Sequence, residues 1–316
     1  MKNVTLSVVI PVMNEAENVA PLLTSLQQAL NELSYEVIFV DDGSTDSTCK
    51  EILKCEFENT RLLVFSRNFG QTCALTAGID AARGEYIATI DGDLQNDPSD
   101  IPAMLQKLIS EDLDMLTGVR TNRNDNWVLR KIPSKIANFI IRKLSGTNIN
   151  DLGCTLKVFR STTAKNLRLY GELHRFIPVV ANIQGAKIAE MPVKHHKRQF
   201  GHSKYGISRT FSVLSDLTLL LFLQRYNQRP MHLFGTIAFT FFAIGSTIGL
   251  YMLYQKVLGH DIGHRPLFLI SILCIMASMQ FVTTGFIAEL LVRVYYNPDS
   301  NKPYRISSEY RNGKLV

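Results

Sequence analysis

Two stretches near the C-terminal end of this 316-residue chain contain no Lys, Arg, Asp or Glu: Pro230 to Gln255 and Pro266 to Ala288. Crossing a bilayer as a helix takes about 20 predominantly apolar residues, so each stretch is long enough. Between them lies a short polar loop, QKVLGHDIGHR. The pattern predicts a helical hairpin in a membrane, with spans at about 232–254 and 266–289. Two buried helices of a soluble core are the other reading, but core helices seldom run this long uncharged. Gly235, Gly245, Gly249 and Gly285 permit close helix packing in such a hairpin. Arg225 and Arg229 precede it, and Arg293, Lys302, Arg305, Arg311 and Lys314 follow it, against Lys256 and Arg265 in the loop. The positive-inside rule therefore puts both chain ends, and residues 1–229, in the cytoplasm.

The rest of the chain reads as a globular domain. Short apolar runs (TLSVVIPV, YEVIFV, RLLVF, EYIATI and LDMLTG) alternate with helical stretches at 16–33, 46–56, 71–83 and 98–110. The runs alternate little between polar and apolar, as strands buried on both faces do. Strand–helix alternation predicts an α/β fold, a mostly parallel sheet with helices on both sides. The five Cys form no CxxC or CxxH pattern, which argues against zinc or a disulfide framework. The N-terminus runs straight into a strand with no signal-peptide cleavage site. The net charge of +6 fits nucleic acid, anionic lipid or a phosphorylated substrate. Residues 203–224 space Phe211, Leu214, Leu217 and Leu221 at helical intervals. They form either an interfacial helix or an amphipathic helix packed on the domain.

Ligands of such sheets bind at the carboxyl ends of the strands. Polar clusters fall at four of them: Asn14-Glu15, Asp41-Asp42-Gly43-Ser44, Ser66-Arg67-Asn68 and Asp91-Gly92-Asp93. Neither GxGxxG after the first strand nor GxxxxGK[ST] is present, which disfavours a dinucleotide oxidoreductase and a P-loop ATPase. Asp91 and Asp93 can grip a hard divalent cation that fills its remaining positions with phosphate oxygens and water, and Gln95 can add a carbonyl. Asp42 can accept from a nucleobase N–H or a ribose hydroxyl. The other reading of the cluster is a cap on the next helix, for which Ser44, Thr45 and Asp46 are suited, and both can hold, with Asp42 binding and Asp46 or Ser44 capping.

VVIPVMNE, VDDGSTD, SRNFGQ, DGDLQNDP and LTGVR, in this order, resemble glycosyltransferase family 2 with its GT-A, Rossmann-like fold. NDLGCTLKVFR, GELHRFIP and HKRQFGHSKY, followed by two spans, resemble the polyprenyl-phosphate glycosyltransferases. These are relatives of dolichol-phosphate mannosyltransferase and of the bacterial undecaprenyl-phosphate glucosyltransferase type. The resemblance implies inverting transfer of a sugar from a nucleotide donor, a UDP-hexose favoured, to undecaprenyl phosphate. It implies a donor site at Pro11, Met13, Glu15, Asp42, Asp91, Asp93 and Arg120. It also implies Mg²⁺ or Mn²⁺ on Asp91, Asp93 and Gln95, phosphate contacts at Arg198 and Lys204, and Asp151 as catalytic base. Met13 stands where the family usually has Tyr, and Gly92 where it usually has Ala. The residues alone leave Asp151 open as a base or as an orienting group, because a lipid phosphate is already ionised near neutral pH. The other basic residues of KHHKRQFGHSK serve phosphate, solvent or anionic lipid. Arg123, Arg130, Lys131 and Lys135 can cover the site, with Trp127 as lid, interfacial anchor or packing residue.

The expected layout is a catalytic domain over 1–202, a juxtamembrane region over 203–229, two helices over 230–292 and a cytoplasmic tail over 293–316. The expected place is the inner membrane, with envelope glycan modification as the purpose and homo-oligomers left open. A processive polysaccharide synthase would need a QxxRW motif, and the single Trp stands in NDNWVLR instead. A non-catalytic adaptor sits poorly with intact Asp91, Asp93 and Asp151. No nucleic-acid recognition motif is present.

Overall fold

The structure is a computed structural model that describes residues 4–55, 59–120, 149–167, 169, 171–197, 229–263, 265–295, 310–311 and 314–315. The chain divides into two compact units, Met1–Leu217 and Thr218–Val316.

The first unit is built on a seven-stranded sheet. Its strands are β1 (Leu6–Val12), β2 (Tyr35–Asp41), β3 (Thr60–Val64), β4 (Tyr86–Thr89), β5 (Met115–Arg120), β6 (Lys157–Arg160) and β7 (Ile188–Val193), in the order β3-β2-β1-β4-β6-β5-β7. β1 to β4 pair in parallel. β6 runs antiparallel between β4 and β5, and β7 is parallel to β5. Every residue of β1 is buried, as its unbroken apolar run requires of a central strand covered on both faces.

Helices α1 (Ala16–Ala29), α2 (Thr48–Lys54), α3 (Gln71–Ala81) and α4 (Ile101–Ser110) follow the first four strands. α1 stops short of the expected residue 33, where the Leu33 N–H turns back to the Leu30 carbonyl. α5 (Ser161–Asn166), a 3-10 turn (Leu173–Phe176) and α6 (Ile177–Ile183) complete the unit. One core layer packs α1 and α4 residues such as Leu22, Leu26, Met104 and Leu108 against Leu6, Val8 and Ile10. The other packs Ala74, Ile79, Ala164, Ile177 and Ala181 against Val9, Ile38 and Phe159. Helices thus cover both faces, and the strand ends between the layers stay free for ligands.

The second unit is a pair of long helices, α7 (Pro230–Val257) and α8 (Pro266–Tyr295). Their apolar side chains point outward: Phe239 and Met279 are each 73% exposed. That is the inverse of a soluble core and fits helices solvated by lipid. The two helices meet at Gly245, where a Cβ would lie 2.9 Å from Ile275 Cγ1 and 3.0 Å from the Ser271 carbonyl. The Ser271 hydroxyl donates to the Gly245 carbonyl at 2.8 Å, the kind of small-residue seam that membrane helices use. Gly285 and Gly249 lie on the same seam, whereas the nearest atom to a Cβ at Gly235 is the end of Met231, 3.9 Å away. Residues 203–228, including the amphipathic stretch, lie outside the described residues.

Candidate active site

β1, β2 and β4 deliver their polar ends to one side of the sheet. After β1, Asn14 takes a left-handed φ of 53°, which turns the chain across the strand ends. The turn is pinned by the neighbouring β2 loop: Asn14 N–H donates to Ser44 Oγ, and Glu15 N–H to Thr48 Oγ1, each at 2.9 Å. Asp46 accepts from the N–H of Thr48 at the start of α2, and so takes the capping duty. Its carboxyl sits below the usual range, because the Thr48 and Ala16 hydrogen bonds outweigh the upward push of burial. Asp42 does not cap that helix. Its carboxylate accepts from the Phe69 N–H at 2.7 Å and the Gly70 N–H at 3.0 Å, which shapes the loop leading into α3.

After β4, Asp91 accepts from Gln71 Nε2 at 2.9 Å, and Asp93 from the Gln95 N–H at 3.2 Å. A Cβ at Gly92 would lie 2.8 Å from Val12 Cγ1. Glycine between the two aspartates therefore lets the β4 end lie against the β1 end. Further along, the Gln95 carbonyl accepts from His196 N–H at 2.8 Å, and His196 Nε2 lies 3.0 Å from Asp97 Oδ2. The segment that enters the basic stretch is thereby tied to the β4 loop.

These ends surround a cavity of about 280 Å³. It is bordered by Pro11, Met13, Glu15, Asp42, Asp91 and Asp93, all expected from the sequence. His174 and Arg175 of the 3-10 turn and Glu172 just before it, with Asn68 and Gln71, also border it. His174 Nδ1 lies 2.7 Å from Thr72 Oγ1, which fixes the turn over the start of α3.

Asp151 and Arg120 are placed differently. Arg120 Nε and Nη2 each donate to the Asp151 carboxylate at 2.7 Å, a bidentate pair, and Asp151 also accepts from the Arg120 and Gly153 N–H groups. Among the described residues neither borders the cavity. Beneath them Lys157 is fully buried in β6, with its ammonium donating to the Cys154 carbonyl. Burial holds that amine below the usual lysine range, against the opposing pull of Cys154, Asp91 and Asp151.

Residues 7–168 match the family model described as glycosyl transferase family 2. The chain is 44% identical to the dodecaprenyl-phosphate galacturonate synthase of Rhizobium johnstonii over 96% of its own length and 92% of that protein. It belongs to glycosyl transferase family 2. Within that family it is a polyprenyl-phosphate glycosyltransferase, an enzyme that transfers a sugar. The undecaprenyl-phosphate 4-deoxy-4-formamido-L-arabinose transferase of Pseudomonas fluorescens is 31% identical to it over 97% of this chain and 90% of that one. Glucosyl-3-phosphoglycerate synthase from Mycobacterium tuberculosis, solved with Mn²⁺, uridine diphosphate and phosphoglyceric acid, shares the fold. The match has a TM-score of 0.55 at 17% identity and covers 70% of this chain and 78% of that one.

For a member of this family, the sheet gathers the expected donor-side residues except Arg120. Gln95 contributes its backbone to orienting Asp93 rather than its side chain to the cavity border. Arg198, Lys204, Arg123, Trp127, Arg130, Lys131 and Lys135 lie outside the described residues. Glu172, His174 and Arg175 carry no periodic signal, and only the motif GELHRFIP pointed toward them.

Proposed function

We propose that this glycosyltransferase moves a single sugar from a nucleotide-diphosphate donor, a UDP-hexose or its oxidised form, to a polyprenyl phosphate of undecaprenyl or dodecaprenyl length. The observation that carries this is the convergence of Asp91, Asp93, Asp42, Glu15 and Pro11 on one cavity at neighbouring strand ends. The polyprenyl carriers in the relatives' names support the acceptor, and uridine diphosphate in the structural neighbour supports the donor.

Two carboxylates bordering one cavity fit a hard cation that takes one or two protein carboxylates. Among the described residues no three His, Cys, Asp or Glu side chains cluster as a self-sufficient metal cage, so diphosphate oxygens would supply much of the remaining shell. Asp91 and Asp93 would hold Mg²⁺ or Mn²⁺, which when bound would stabilise negative charge on the leaving diphosphate. The loop at Pro11–Glu15 and the Asp42-shaped turn at Phe69-Gly70 bind the nucleoside side. An oxygen of the lipid phosphate bonds to the anomeric carbon as the bond to the nucleoside diphosphate breaks, with inversion. Arg198 and Lys204 are proposed to hold phosphate where the domain meets the bilayer. The acceptor is ionised already, so Asp151, paired to Arg120, acts by holding the end of β5 in place rather than by taking a proton.

We propose the same layout for the chain: residues 1–202 catalytic, 203–229 juxtamembrane, 230–292 spanning and 293–316 in the cytoplasm, at the inner membrane. A panel of nucleotide sugars incubated with undecaprenyl phosphate, with and without chelator, should give a sugar-lipid from at least one donor and none in chelator. No product from any donor would sink the reading. A reporter after Val316 and a tag near His260 should fall on opposite sides of the membrane, and a shared side would refute the hairpin topology.

A further inference from the structure

Among the described residues, Arg175 is the least satisfied cation bordering the cavity. Its Nη2 is paired with Glu172 Oε2 at 2.6 Å, while Nε and Nη1 are buried and have no hydrogen-bond partner among the described residues. The side chain is 16% exposed, and the residue borders the same cavity as Asp91 and Asp93. Buried guanidinium N–H groups without acceptors are unfavourable, and an orphaned group of this kind in a native fold calls for a ligand or water. The turn that carries it is fixed to the cavity through a short series of contacts. Gln71 bonds Asp91, the adjacent Thr72 bonds His174, and Arg175 follows His174. Asp91 and Asp93 border the same cavity and take the diphosphate end in the function proposed above, which leaves Arg175 for another part of the donor.

Resting on the function proposed above, we propose that Arg175 is a specificity-determining residue that reads a carboxylate on the transferred sugar, so that the donor is a nucleotide uronic acid. Glu172 already offsets part of the guanidinium charge. The remaining field suits a singly charged carboxylate better than a phosphate dianion, and the planar fork matches a carboxylate through two parallel N–H bonds. A carboxylate entering the cavity turns the guanidinium toward it, so that Arg175 bridges that group and Glu172. The 44% identical relative is named for galacturonate, an acid of this kind. The 31% identical one is named for a formamido-arabinose, which has no carboxylate.

The test compares UDP-galacturonate with UDP-galactose, which differ only in a carboxylate against a hydroxymethyl at C6, with Mg²⁺ present. Wild-type kcat/KM should favour the uronate by at least about 100-fold, since a site built to pair a polar group rejects the analogue lacking it. Arg175→Gln should lower the uronate value by about 100-fold and leave the neutral donor within about threefold. Binding of UDP alone should be unchanged, which also reports that the variant is folded. Equal losses for both donors, weaker UDP binding, or a wild-type enzyme that favours the neutral sugar would each overturn the assignment. Should Arg175→Gln fail to fold, Arg175→Lys and the wild-type donor preference still decide the matter. If no donor yields a sugar-lipid, the transferase reading falls. Titrating the two donors without acceptor then still scores Arg175, because the uronate should bind more tightly than the neutral sugar in wild type and not in the variant.

Discussion

The loop after β4 and the loop before β6 bring acidic side chains to the same end of the sheet and use them in opposite ways. After β4, Asp91 and Asp93 border the cavity while accepting from Gln71 and from the Gln95 backbone. Before β6, Asp151 accepts from both arms of the Arg120 fork and from two backbone N–H groups, away from the cavity border. Asp42 stands between these cases, since it borders the cavity and also holds the Phe69-Gly70 turn. The lesson is that an acidic motif becomes a ligand or a brace according to which donors the surrounding backbone already aims at it.

The largest effect expected from this contrast is on turnover. Asp93→Asn should cut sugar-lipid formation by about 10³-fold, because it weakens charge stabilisation on the leaving group. Its thermal unfolding in detergent should stay near wild type. Retained activity would break the contrast from the ligand side. Asp151→Ala should act instead on stability, by about 3 kcal/mol, because it leaves the Arg120 guanidinium half-buried without its partner. The double variant Asp151→Leu with Arg120→Met should recover much of that loss. Denaturant unfolding of the single and double variants checks both statements. If Asp151→Asn kept its stability and lost turnover, Asp151 would regain the role of base.

Gly92→Ala probes the spacing between the same strands. The added methyl meets Val12 Cγ1 at 2.8 Å, and Val12 is β-branched within a buried strand. We expect a loss of about 1 kcal/mol, the low end for crowding a packed site. An unfolding midpoint equal to wild type would show that β1 and β4 have slack at their ends.

Much of this arrangement was legible from residue order. β1 to β5 announced themselves as apolar runs, because strands buried on both faces need no polar alternation. The hairpin announced itself by the absence of charge. β6 did not, because Lys157 stands buried within it and breaks the apolar run. β7 did not either, because its edge position leaves most of Ile188–Val193 half-buried with Glu190 in the middle. At the site, Asp91, Asp93 and Asp42 were visible as strand-end motifs. Arg175 was not, since its turn meets the start of α3 through His174 and Thr72, residues far apart in sequence. The Arg120–Asp151 pair is hidden for the same reason, since its two residues stand 31 positions apart in sequence.

The smallest effect concerns the far end of the β4 loop and depends on pH. Asp97 is partly buried, which by itself would raise its carboxyl, but hydrogen bonds from His196 and Ser99 outweigh this and hold it below its ordinary value. A carboxyl lowered on folding adds stability that is fully present above its unfolded value, about 3.9. That stability is lost as pH falls through the folded value. The wild-type enzyme should therefore lose a small increment as pH falls below about 4 that Asp97→Asn does not lose. The increment should stay below about 1 kcal/mol, because His196 is 52% exposed and the pair is screened by solvent. Added salt should shrink it further. Unfolding free energies of both proteins across this window decide the point. Coincident curves would mean that the tie between the β4 loop and the basic stretch contributes nothing to folding, and that the loop's aspartates differ from Asp151 at this end as well.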